Sequence, residues 1–137
     1  MGTTVAAIAF VGSKAILSHV GDSRIYHLSE NKLKQVSKDH TLVQELIDSG
    51  NIEQHEAKSH PIAHMLTRSL GPLEKVDVEV SFLEEEVEDG QRFLICSDGL
   101  YNHVNDDEIE EIMLKEDPVQ ACKSLLCLLY TSDAADE

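Results

Sequence analysis

The sequence predicts an α+β domain, on three features of its patterning. Short β-branched, apolar runs separated by tight turns fill residues 4–36. Helical spacing replaces them after residue 41, and strand character returns between residues 76 and 96. The last third, from Asn105, is helical again. A chain of 137 residues suits one domain and leaves no room for two. A domain of that size can bury a core without staples. Hydrophobic residues make up 42%, so the chain is globular; aromatics are only 4%, so aliphatic side chains must fill the core.

Residues 4–11 read as a buried strand with small Ala6, Ala7 and Ala9 inserted, bounded by Gly12-Ser13. Residues 15–20 are a second apolar run, stopped by Gly21-Asp22. Residues 24–28 are a third, with Ile25 and Leu28 apolar and Tyr26 amphipathic. Asn31-Lys32 reads as a turn before a short strand at 33–36. With such short connections the four strands are expected to form an antiparallel meander.

Leu42, Val43, Leu46 and Ile47 then recur at helical spacing. Asp39 or Thr41 is placed to cap that helix, and Gly50 stands at the expected C′ position. A polar helix is expected over 52–58, ending before Pro61. In 76–83, Val76, Val78, Val80 and Phe82 alternate with polar residues, which implies one wet and one buried face. An acidic connection over 84–90 leads to Phe93-Leu94-Ile95-Cys96, a central strand stopped by Ser97-Asp98-Gly99. Asn105 caps a helix with Glu108 at N3 and Ile109, Ile112 and Met113 as its apolar stripe. Asp117-Pro118 starts another helix, expected to run through Leu126. No internal repeat or low-complexity segment is present.

The formal charge of −15, from 26 acids and 11 bases, argues against nucleic acid or an anionic membrane as a partner. It suits cations, although most of these acids simply solvate the surface. The cysteines, Cys96, Cys122 and Cys127, have no spacing that suggests a disulfide framework or a zinc knuckle, so a reducing compartment is expected. No apolar run is long enough to cross a bilayer. Met1-Gly2-Thr3-Thr4 has no basic region of a signal peptide, and a cytoplasmic monomer is the expectation.

Asp22 and Asp98 each follow an apolar strand and adjoin a glycine, Gly21 or Gly99. A carboxylate at a strand end sits on a rigid rim, and the glycine lets the backbone turn sharply and a ligand approach. Two such acids can converge on one hard cation, which takes oxygen ligands. By spacing alone, a strand-end Asp-Gly is more often a plain turn.

Longer motifs surround both acids. His19-Val20-Gly21-Asp22-Ser23-Arg24 and Cys96-Ser97-Asp98-Gly99-Leu100 resemble signature segments of the metal-dependent PPM-type (type-2C) protein serine/threonine phosphatases in their bacterial form. Met1-Gly2-Thr3-Thr4, Lys38-Asp39-His40-Thr41, His60-Pro61, Leu66-Thr67-Arg68-Ser69-Leu70-Gly71 and Asn105-Asp106-Asp107-Glu108-Ile109 are similar to further family segments, in the same order. The resemblance covers about residues 1–126, with a flap at about 41–71 beside the active site.

That resemblance implies a four-layer α-β-β-α sandwich of two antiparallel sheets. It implies two Mn²⁺ or Mg²⁺ ions, possibly joined by a third, that activate a water to attack phosphoserine or phosphothreonine. Asp98 matches a metal aspartate of the catalytic centre, and Asp22 matches an aspartate of the weaker accessory ion. Phosphoprotein substrates and a cognate serine/threonine protein kinase are the implied partners. His40, His64 and Arg68 are the candidates to face substrate from the flap. Gly21, Ser23, Arg24, Ser97 and Gly99 are candidates for structural support; Arg24 is expected to pair with an acid, and Cys96 to be an inert core thiol.

Three family segments have no counterpart here: the early D-G-M-G-G metal segment, a phosphate-gripping N-terminal Arg, and the late G-G-x-D-N segment. The chain is therefore expected to be a partial domain with little activity alone. The other reading is a non-catalytic, phosphatase-like module that binds protein. The segment from Cys127, C-L-L-Y-T-S-D-A-A-D-E, resembles the conceptual translation of a transposon-type sequencing adapter, so residues 127–137 are expected to be a non-native tail.

Overall fold

The computed structural model describes residues 1–136. Six strands and four helices follow in chain order: β1 (Val5–Val11), β2 (Lys14–Val20), β3 (Arg24–Ser29), β4 (Lys32–Gln35), α1 (Leu42–Asp48), β5 (Glu79–Phe82), β6 (Arg92–Cys96), α2 (Asp98–Tyr101), α3 (Asp106–Lys115) and α4 (Pro118–Asp136). A 3₁₀ turn, Gln54–Ser59, lies where a polar α-helix was expected.

The strands form two antiparallel sheets, ordered β1-β2-β5 and β4-β3-β6. The expected single meander is thus split. β1 pairs with β2 and β3 pairs with β4, but the chain crosses from one sheet to the other at Gly21-Asp22-Ser23. Gly21 makes the crossing possible: its φ is +104°, and a Cβ there would lie 2.5 Å from Thr4 Cγ2.

The sheets meet face to face. Phe10 of β1 packs edge-on against Phe93 of β6, which stacks on His27 of β3. On the other face of β4-β3-β6, Leu28, Leu33 and Leu94 join Val104, Ile109, Met113 and Leu125 in one aliphatic cluster. Ile109 is fully buried there, a burial that stabilises by about 1.5–3 kcal/mol. Two polar ties fix α3 on this sheet: Leu33 N–H donates to Glu110 Oε2, and Arg92 donates to the carbonyls of Met113 and Glu116 at the end of the helix.

The outward face of β1-β2-β5 differs from expectation. The β1 run was read as buried, and the apolar side of residues 76–83 as the buried face. Instead Val5, Val11, Val78, Val80 and Phe82 are all exposed. Alternation reports which residues share a face, not whether another layer covers it. Among the described residues no helix covers this face, and strand structure in that segment shrinks to Glu79–Phe82.

The caps follow local chemistry. Thr41 and Asn105 accept hydrogen bonds from Gln44 N–H and Glu108 N–H, and Asp117 accepts from Gln120 N–H. Gly50 has a φ of +80° just beyond α1. α4 runs past the expected end at Leu126 because no Gly or Pro follows to stop it, and Leu128 packs against the core cluster. Residue 137, the end of the segment read as a non-native tail, lies outside the described residues.

Candidate metal and phosphate site

The crossing between the sheets and the end of β6 face one another. β3 pairs with β6 so that Arg24 lies opposite Cys96 and Ile25 opposite Ile95. Asp22 precedes β3 and Asp98 follows β6, so both lie beyond the same end of this strand pair. Asp22 is buried, and Asp98 opens α2 with Ser97 at its N-cap. Burial pushes the Asp22 carboxyl above its ordinary value, and the nearby Asp98 and Asp39 carboxylates push the same way.

The crossing is held from several sides. Gly21 N–H donates to His40 Nδ1 at 3.0 Å, and His40 N–H donates back to the Gly21 carbonyl at 3.0 Å. His40 stacks on His19, whose Nε2 bonds the Lys38 carbonyl. Burial, then the neighbouring His19 and Arg68, lower the His40 pKa to about 4, which keeps its ring neutral and able to accept from Gly21. Thr4 and Ser23 hydroxyls bond at 2.6 Å on the far side.

Arg24 sits beneath. Its guanidinium grips both oxygens of Asp39, with the shortest contact at 2.7 Å, and donates to Tyr26 Oη. Tyr26 donates to Asp106 Oδ1. The same guanidinium lies over the Tyr101 ring, 3.5 Å from its centroid. Burial opposes the Arg24 charge, but Asp39 outweighs it and holds the group protonated. The Tyr101 hydroxyl donates to the Asp22 backbone carbonyl at 2.7 Å.

The remaining candidates separate. Arg68 donates to the Asp77 carbonyl and lies 3.4 Å from Glu79. The segment around it is stitched to the His40 loop by Thr67 N–H to the His40 carbonyl and by bridges Thr41–Leu66 and Thr3–Leu70. His64 is exposed in the turn before this segment. His40 is buried under the crossing rather than displayed on the flap. Gly99 is not needed for a sharp turn, since the chain continues into α2 and a Cβ there would meet only Ser97 Oγ at 3.5 Å. Cys96 is half-buried, and burial pushes its thiol up to about 11, so it stays protonated.

As a donor set, two carboxylates on one rim suit a hard divalent cation, and their mutual repulsion is what such an ion relieves. They do not complete its coordination. Among the described residues no group of three or more His, Cys, Asp or Glu is arranged to hold a metal. Sequence reading singled out both aspartates but missed Tyr101, and saw Asp39 as a possible helix cap and as part of a family segment, not as the partner of Arg24. The available signal was Tyr101 three residues after Asp98 at a helix start, which places both on one side of α2.

Comparison with known proteins identifies the family. The sequence profile of the family described as Protein phosphatase 2C matches residues 1–129. The chain is 39% identical over 136 residues to the serine/threonine protein phosphatase PstP of Mycobacterium tuberculosis, covering 99% of this chain and 26% of that protein. It superposes on a crystal structure of the M. tuberculosis serine/threonine phosphatase PstP/Ppp with a TM-score of 0.89 and 38% identity, covering 96% of this chain and 55% of that one. A structure of the PstP catalytic domain in complex with 2 manganese ions superposes with a TM-score of 0.80 and 35% identity, covering 96% and 54%. The chain thus spans about half the length of these solved domains.

Proposed function

Since the chain belongs to the protein phosphatase 2C family, we propose that its residues build one side of a metal-dependent phosphatase site acting on phosphoserine and phosphothreonine in proteins. The supporting observation is that Asp22 and Asp98 lie beyond the same end of the β3–β6 pair, where the chain crosses between the sheets. Asp98 would hold an ion of the catalytic centre and Asp22 an accessory ion, Mn²⁺ or Mg²⁺. Such ions, when bound, lower the pKa of a coordinated water and offset charge on phosphoryl oxygens.

The chain's own part is binding and orientation. Asp22 and Asp98 present hard oxygen donors just beyond the strands of the two sheets. Neutral His40 clamps the Gly21 backbone and keeps the crossing turn in one conformation. The segment carrying His64 and Arg68 borders this turn, and its exposed His64 and the Arg68 guanidinium are offered as contacts for a phosphorylated peptide. The proposed setting is cytoplasmic and monomeric, with a serine/threonine kinase supplying the phosphorylated substrates. The activity proposed is that of a complete domain of this family carrying these residues.

The test is Asp98→Asn in such a domain, assayed with p-nitrophenyl phosphate and Mn²⁺. Losing even a partner of a metal ligand costs about 10–100-fold, so removing a ligand should cost at least about 100-fold. Unchanged turnover would remove Asp98 from the metal site.

A further inference from the structure

Asp22 and Asp98 follow the ends of different strands, β2 and β6, yet one short helix reaches both. α2 begins at Asp98 and ends at Tyr101, whose hydroxyl donates to the Asp22 carbonyl at 2.7 Å. We infer that Tyr101 is a positioning residue: its hydroxyl ties the Asp22 backbone to α2, and so sets Asp22 against Asp98. The inference rests on the proposed reading of these aspartates as metal ligands.

Three features carry it. First, Asp22 stands in the turn between β2 and β3, outside both strands, and its backbone carbonyl accepts from the Tyr101 hydroxyl. Second, the tether uses the main-chain carbonyl, so the Asp22 carboxylate stays free for a cation. Third, Tyr101 cannot yield easily. It is buried, and its ring is pressed under a guanidinium that Asp39 grips through both oxygens. The order of restraint runs Asp39, Arg24, Tyr101, Asp22, and each link is a direct contact.

A merely structural tyrosine would satisfy its hydroxyl in the same way, so the test must separate the two roles. In the complete protein, Mn²⁺ binding is followed by electron paramagnetic resonance of free Mn²⁺ for Tyr101→Phe, Asp22→Ala and the double variant. Phe keeps the ring beneath Arg24 and removes only the hydroxyl. Near-ultraviolet circular dichroism checks that each protein is folded.

Asp22→Ala is expected to weaken Mn²⁺ binding. Tyr101→Phe is expected to weaken it about two- to ten-fold, the range for one hydrogen bond. In the Asp22→Ala background the same Tyr101→Phe change should have no further effect, because it acts only through Asp22. An unchanged affinity in Tyr101→Phe beside a weakened Asp22→Ala overturns the positioning role. So does an equal loss from Tyr101→Phe in both backgrounds. If Asp22→Ala itself binds Mn²⁺ as tightly as the parent, the reading of Asp22 as a ligand fails instead.

Discussion

The two sheets have the same number of strands and very different surroundings. β4-β3-β6 lies between two layers: α3 and α4 on one face, β1-β2-β5 on the other. Its middle strand, β3, buries Ile25, Tyr26, His27 and Leu28 in succession. Among the described residues, β1-β2-β5 is covered on one face only. Its inward residues Ala15, Leu17 and His19 are buried, while Phe82 on the outward face is 68% exposed. Strand propensity is similar in both, so it does not decide burial; the neighbouring layer does. The candidate site lies where the chain leaves the half-covered sheet and enters the fully covered one. Asp22 is therefore held from the stiff side by Tyr101, and its neighbours Gly21 and Ser23 are held from the softer side by His40 and Thr4.

The largest test of this contrast is a pair of truncations. Ile109→Ala should cost about 2–5 kcal/mol, because it opens a cavity in the cluster that covers β4-β3-β6. Phe82→Ala in the same 137-residue chain should lie within about 0.5 kcal/mol, as for other exposed positions. Urea unfolding followed by circular dichroism compares them. A Phe82 cost equal to that of Ile109 would mean that the outward face is covered in solution.

Next in size is Gly21→Ala at the crossing itself. The added Cβ would need a positive φ and would collide with Thr4, at a cost of about 1–3 kcal/mol. Gly12, whose positive φ lies in an open hairpin turn with nothing within 4 Å, is the control. Its Ala variant should lose less, and an equal loss in thermal scans would assign the Gly21 effect to backbone strain rather than to the meeting of the sheets.

The smallest effect concerns charge. The folded state binds the Asp22 proton more tightly than the unfolded chain does, so Asp22 lowers stability as pH rises through its folded pKa. Asp22→Asn removes that titration. In EDTA it should therefore melt slightly above the parent at pH 7, and the advantage should vanish at acid pH, where Asp22 is protonated in both states. A variant that melts lower at pH 7 would show that the carboxylate is not penalised there. His40 works in the opposite direction. Its lowered pKa removes stability as pH falls from about 6.5 toward about 4, because the unfolded chain takes up the proton first.

Much of this was legible from local chemistry. Thr41, Asn105 and Asp117 announce helix starts because their side chains satisfy the first free N–H groups. Gly12, Gly21 and Gly50 mark positions of positive φ. The motifs around Asp22 and Asp98 pointed to the family and to its paired antiparallel sheets, which the fold and the comparisons support. The coverage of β1 and β5 was not legible, because alternation is the same whether the outer face meets a helix or water. The role of His40 was not legible either, since nothing in its spacing says that its ring accepts from a glycine 19 residues earlier.

The sequence by itself determined the local choices: where strands stop, where helices begin, and that acids stand at two strand ends. These depend on side chains within a few residues of one another. Only the tertiary structure decided that Asp22 and Asp98 share one rim, that Tyr101 reaches Asp22, and that Asp39 holds the arginine above Tyr101. Those contacts join residues 15 to 79 positions apart, through a strand register and a chain crossing that no local pattern encodes.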